Sequence, residues 1–316
     1  KEDLNNSSRY YEDEINFQEI LHTLLRGKKI IFSSSLIFLI SSLIYSIYLP
    51  NIYESKALLS PIEEKDNISS SLESLGGLAS IAGIGISPSS AESKSKKAKE
   101  KLTSFSFFEK KIMPNIFLPD LMAVDYWDYK SNTIIFDESL YDQSANLWVR
   151  SFSYPKKQIP SPQESFEVFI NNHLEISQDD KTGFISLAIR HESPYIANNW
   201  VELMVREINN FYRDKDKNEA KKSISFLNEQ LNRTSLSEIK LALVELLQAE
   251  IKKLTLVEAR ELYVFDYIDP STIMEKRKSP NRAIIIFFGT MLGFFLGAIY
   301  VMGLSLWKKN TEIKSN

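Results

Sequence analysis

The side chains able to do chemistry are scattered in this sequence. Three histidines, His22, His173 and His191, lack the short spacings that set two imidazoles on one helix face, so no metal site is expected. There is no cysteine, which removes disulfides and thiolate ligands. Carboxylates crowd the region Asp120, Asp125, Asp128, Asp137 and Glu138, but no acid–base pair stands out as it would in a glycosidase. Leu72 to Ile86 is apolar and glycine-rich, yet it lacks the G-x-x-x-x-G-K-[ST] pattern of a phosphate loop and reads as a packing segment. Tyr126, Trp127, Tyr129 and Trp148 could stack on sugar faces; ordinary core and interface packing is the preferred reading. No catalytic residue and no cofactor follows from these patterns.

The most regular spacing is Gly289, Gly293 and Gly297, two overlapping G-x-x-x-G motifs whose small residues share one helix face and let another backbone come close. They sit in the uncharged segment 283–307, whose twenty-five residues make a helix of roughly 37 Å, enough for a hydrocarbon core of about 30 Å. Pro270, the basic run Lys276-Arg277-Lys278, Pro280 and Arg282 form a proline-flanked approach to it. A second uncharged run, 30–49, follows Arg26-Gly27-Lys28-Lys29 and ends at Pro50. It is longer than a signal-peptide core and lacks a small-residue cleavage site, so it reads as a retained membrane helix.

These runs divide the chain. Residues 1–29 are expected to be a cytoplasmic tail with a short amphipathic helix, 30–49 and 283–307 the membrane helices, 50–282 one exported domain, and 308–316 a cytoplasmic tail. Arg26, Lys28 and Lys29 favour an in–out–in orientation, although the cluster at 276–282 votes against it. With a formal charge of −3 nothing argues for nucleic acid.

Within 50–282, strands are expected at 52–60 and 262–268, a helix at about 95–112, and irregular chain over 114–160. A helix at 162–173 is followed by a hairpin across DDKTG. Ser193-Pro194 starts a long helix, continued through a charged, solvated stretch (RDKDKNEAKK), and Ser235-x-x-Glu238 matches a capping box for another helix to about 260. If the first and last strands share a sheet, the two membrane helices are tied together. The fold class is α+β: a membrane-anchored α/β domain with long protruding helices, flanked by two transmembrane helices.

Tyr53-Glu54-Ser55-Lys56-Ala57-Leu58, Leu75-Gly76-Gly77-Leu78-Ala79, Trp148-Val149-Arg150, the stretch from Asp179 to Asn209, Phe226-Leu227-Asn228 and Pro280-Asn281-Arg282-Ala283 stand in order between the spans. In them the chain resembles the Wzz-type chain-length determinants, class 1 polysaccharide co-polymerases of the Gram-negative inner membrane. The family's further proline in the approach is replaced here, at about Met274. The resemblance implies a non-catalytic protein with a periplasmic domain, a ring-like homo-oligomer in the membrane lipids. It implies a Wzy-type polymerase and lipid-linked polysaccharide as partners, and control of the modal length of O-antigen, common antigen or capsule. A two-span sensor and a polysaccharide enzyme are the competing classes. The nine residues after Trp307 leave no room for an output domain or for the kinase of the class 2 co-polymerases.

Overall fold

A computed structural model describes residues 17–62 and 90–314, in two compact units, 1–50 with 280–316 and 51–279. The glycine-rich segment 72–86, the loop before it and most of the N-terminal tail lie outside the described residues.

The first unit holds α1 (Phe17–Arg26), α2 (Lys28–Tyr48) and α8 (Arg282–Lys314). Two helices, Lys28–Tyr48 and Arg282–Ser305, are long and apolar enough to cross a membrane.

The second unit contains α3 (Ser90–Leu102), α4 (Leu118–Met122), α5 (Pro162–Val168), α6 (Pro194–Arg233) and α7 (Ser237–Ala259). Its strands are β1 (Tyr53–Pro61), β2 (Val124–Asp128), β3 (Thr133–Phe136), β4 (Tyr141–Asp142), β5 (Leu147–Trp148), β6 (Leu174–Gln178), β7 (Ile185–His191) and β8 (Phe265–Asp269). The main sheet runs β6-β7-β1-β8, antiparallel throughout. The first and last strands of the unit therefore do share a sheet, through Leu59 opposite Tyr267 and Pro61 opposite Phe265.

Alternation places Ser55, Ala57 and Leu59 of β1 on the buried face beside Ile185, Leu187 and Ile189 of β7. That face is covered by α6, whose Ala197, Val201, Met204, Val205 and Ile208 are buried with it. The β6–β7 hairpin turns at Gly183, whose φ of 71° lies in the region glycine occupies without a Cβ clash. Asp179 closes that turn by accepting from the Lys181 and Thr182 amides.

Four local expectations are corrected. The helix foreseen at 95–112 breaks at Ser104, which is extended and donates its hydroxyl to the Lys101 carbonyl; residues 105–115 then continue as irregular helical turns. The capping box at Ser235 does not form: Leu236 is the N-cap, without a side-chain bond, and the helix begins at Ser237. The charged stretch of α6 is not wholly solvated, because Asp216 is buried, accepting from Lys94 Nζ at 2.8 Å and from the Tyr263 hydroxyl at 2.5 Å. Residues 262–264 are not strand. Asn209 Oδ1 instead collects the amides of Tyr263, Val264 and Phe265 at 2.9, 2.7 and 3.1 Å, and pairing begins only at Phe265.

Candidate functional site

The three glycines of α8 all face α2. A Cβ added at Gly289 would lie 2.4 Å from Ser42 Cβ, one at Gly293 2.6 Å from Phe38 Cβ, and one at Gly297 3.0 Å from Ile31 Cα. As α8 advances its partners on α2 recede, so the helices run antiparallel. Close approach also brings hydroxyls within reach of main-chain carbonyls. Ser34 Oγ donates to the Gly293 carbonyl at 2.9 Å and Ser35 Oγ to the Thr290 carbonyl at 3.3 Å. In an apolar medium such bonds satisfy groups that would otherwise have no partner. The stripe continues to Ile31, Ala298 and Val301, packed together and against Leu24 of α1. The spacing of the glycines is legible in the sequence; the serines opposite them are not, since nothing local sets which face of α2 looks inward.

The approach to α8 is built into the sheet. Pro270 stands directly after β8, where its missing amide proton ends strand pairing. Ser55 Oγ donates to the Thr272 carbonyl at 2.9 Å. The Ile52 amide donates to Ser279 O at 2.9 Å, and the Lys278 amide to Ile52 O at 2.7 Å. Lys278 Nζ and Arg190 Nε each reach Glu54 at 2.9 Å. Burial pushes the Glu54 carboxyl up, but these two donors outweigh it and hold the group below the usual carboxylate range. Pro280 and Asn281 precede Arg282, the first residue of α8, and Ile284 donates its amide to the Asn281 carbonyl at 3.1 Å. Met274, standing where the resemblance implies proline, is exposed.

A second place gathers polar side chains that the sequence leaves apart. A cleft of about 400 Å³ is lined by Asp120, Asn172, His173, Arg190, His191 and Glu192, among others. The two imidazoles lie 5.5 Å apart, each against the Trp200 ring. His191 is fully engaged by backbone. Its Nδ1 accepts from the Ser193 amide at 2.9 Å, so its Nε2 carries the proton and donates to Asp120 O at 2.8 Å. Burial first, and the neighbouring His173 second, push His191 down to about 3, and burial also lowers His173. Burial raises Asp120 to about 6, and burial also pushes the Glu192 carboxyl above its ordinary value. A neutral imidazole spent on two backbone groups is an anchor for the start of α6 rather than a free base. No sequence spacing signals this pair: His173 ends the helical turn before β6, and its Nδ1 lies 2.7 Å from the Arg190 carbonyl across the hairpin, beside His191. Among the described residues no group of three metal-ligating side chains converges.

The aromatic residues divide. Trp148 packs on Tyr141 at 5.3 Å, and Tyr141 on Phe136 at 5.5 Å, in a small satellite core. Trp127 sits edge-on to Tyr53 at 5.4 Å and to Tyr195 at 6.1 Å, while Tyr126 and Tyr129 are exposed.

Residues 13–112 match the family model described as Wzz, chain length determinant protein. No curated protein matches the sequence. Among solved structures, a full-length bacterial polysaccharide co-polymerase is similar at 12% identity over 94% of this chain and 99% of its own, with a TM-score of 0.42. A fragment of WzzB, a polysaccharide co-polymerase from Salmonella Typhimurium, is similar at 11% identity over 72% of this chain and 100% of its own, with a TM-score of 0.33. The matched residues run through α1, α2, β1 and α3. The similarity to the Wzz chain length determinant family is thus shown over residues 13–112, in agreement with the sequence resemblance.

Proposed function

We propose that this protein sets the modal chain length of a lipid-linked surface polysaccharide, O-antigen first among the candidates, as a non-catalytic partner of a Wzy-type polymerase in the Gram-negative inner membrane. The observation that carries the reading is the chain-length-determinant match over residues 13–112. Residues 50–282 are then the periplasmic domain, and both termini are cytoplasmic. The closely packed pair α2 and α8 supports anchoring by two spans, and the hydroxyl-to-carbonyl bonds between them suit a hydrocarbon surrounding. Assembly into a ring of identical subunits is supported by α7, which leaves Leu236 before it and Ile239, Leu241, Leu246 and Ile251 along it exposed. Apolar side chains along one long helix in such number favour a covering partner.

The deciding experiment compares the lipopolysaccharide gel ladder from cells with and without the protein. Loss of a modal band on deletion, restored by the wild-type chain, is expected. An unchanged ladder, alongside an unchanged length distribution of the other surface polysaccharides, refutes the reading.

A further inference from the structure

The first residues of β1 gather two kinds of side chain whose joint purpose the chain-length reading leaves open. Tyr53 follows Tyr48, the last residue of α2, by five positions, and Ser279 precedes Arg282, the first of α8, by three. A chain carries these residues no farther than about 17 Å and about 10 Å from the ends of the spans. Whatever is built on Tyr53 and Ser279 therefore stands near the surface of a bilayer those spans cross.

Two features are built there. One is the β2–β3 ribbon, held by Trp127 against Tyr53 and Tyr195, with the Trp127 indole donating to Asn132 Oδ1 at 3.0 Å. The ribbon turns Tyr126 (48% exposed) and Tyr129 (70% exposed) to the outside, with Lys130 Nζ 6.0 Å from the Tyr129 ring. Its Asp128 is spent on its own turn, accepting from the Lys130 amide and the Ser131 hydroxyl; Asp125 is its other acid. The second feature is the exposed run Lys276, Arg277 and Lys278, zipped to residues 51–54 by the Ile52–Ser279 bridge. Lys278 answers Glu54, and Arg277 Nη1 donates to Asn51 Oδ1 at 3.1 Å, which leaves the net charge of that strip positive.

Aromatic rings with a polar edge settle at the headgroup level of a bilayer, and lysine and arginine there meet lipid phosphates. We propose that this end of residues 51–279, the β2–β3 ribbon together with Lys276 and Arg277, docks on the headgroup layer of an anionic phospholipid bilayer. The proposal accounts for a basic cluster on the exported side of a span, where the charge rule disfavours it. It rests on the membrane-anchored reading.

The full chain has no cysteine, so single probes can be placed cleanly. Tyr129→Cys and Leu236→Cys, each carrying a fluorophore, are compared in nanodiscs of phosphatidylglycerol and phosphatidylcholine containing a headgroup-linked nitroxide quencher. Leu236 is exposed and lies beyond the far end of α6, a 40-residue helix of about 60 Å. The nitroxide should quench the probe at 129 severalfold more than the probe at 236, and aqueous iodide should do the reverse. Adding Lys276→Gln and Arg277→Gln should reduce the nitroxide effect at 129, as should lipid of phosphatidylcholine alone. A chain that enters nanodiscs but shows equal quenching at both positions overturns the docking face alone. A probe at 129 shielded from iodide but not quenched by nitroxide assigns the face to a protein partner and also overturns it. Indifference to the two substitutions and to lipid charge removes the anionic lipid from the proposal. A chain that cannot be reconstituted into nanodiscs refutes the anchored reading itself.

Discussion

Replacing Gly293 with alanine should open the α2–α8 pair, and the size of the effect can be worked from the distances. The new methyl carbon would lie 2.6 Å from Phe38 Cβ and 3.0 Å from both Phe38 Cγ and Ser34 O. Neither Phe38 Cβ nor a main-chain oxygen can rotate aside, and carbon atoms rest at about 3.5–4.0 Å. The helices must therefore separate locally by about 1 Å. That stretches the Ser34 hydroxyl bond to Gly293 O beyond its present 2.9 Å and past useful length. Bonds of this kind contribute about 0.6 kcal/mol each and at most about 1.7 kcal/mol. A gap of about 1 Å also forfeits up to about half of each dispersion contact along the stripe. A loss of about 1–3 kcal/mol follows, or a factor of roughly 5 to 160 in the pairing equilibrium. Cysteines at Ile31 and Ala298, neighbours in the same apolar cluster, would report the pairing through their oxidation rate in membranes. Gly303→Ala is the matched control, because nothing stands within 4 Å of a Cβ there. Slower cross-linking in Gly293→Ala and an unchanged rate in Gly303→Ala are expected, and the length distribution of the polysaccharide should shift with the former. Equal cross-linking in the two variants would refute the close-packing argument.

Two further outcomes follow from the second unit. Asp120, raised to about 6, favours the neutral carboxyl in the folded state; its stabilising contribution is complete below about 3.8, the ordinary Asp value, and is lost as pH rises through about 6. Asp120→Asn should thus raise the thermal midpoint of the purified full chain at pH 7.5 and flatten the part of its pH dependence between about 4 and 6; a steeper profile would count against it. Asn209→Ala would orphan the three amides of residues 263–265 and the bonds from Asn209 Nδ2 to Val205 O and Phe265 O. At about 1–3 kcal/mol for each buried group left without a partner, a cost of several kcal/mol is expected. Hydrogen exchange should accelerate first at residues 263–265, and uniform protection there would show that Asn209 is not the clasp.

The elements that local pattern governs were legible. Two uncharged runs became two apolar helices, Ser161-Pro162 and Ser193-Pro194 opened helices at the expected residues, and the DDKTG turn closed the β6–β7 hairpin. The errors lie where local signals compete with distant partners. Ser235-x-x-Glu238 has capping-box chemistry, but Leu236 takes the N-cap position. Leu262 to Val264 have the composition of a strand, but Asn209, more than fifty residues earlier, takes the amides that pairing needs. Asp216 stands in a run of charge that looks solvated, and Lys94 from another helix pairs with it in the interior.

By itself the sequence determined which segments are apolar enough for a bilayer, the glycine spacing, and the family resemblance, because each depends on residues close together along the chain. Only the tertiary structure decided what the glycines meet, namely Ser42, Phe38 and Ile31 of α2, and that His173 and His191 share Trp200. It also joined Tyr53, Trp127 and the basic run through Ile52 and Ser279. Apart from His191 and Trp200, nine positions apart, those contacts bridge 27 to more than 250 positions. A chain's periodicity fixes which faces are apolar, but pairing across such distances is chosen by the packing of the whole unit, and no local pattern records it.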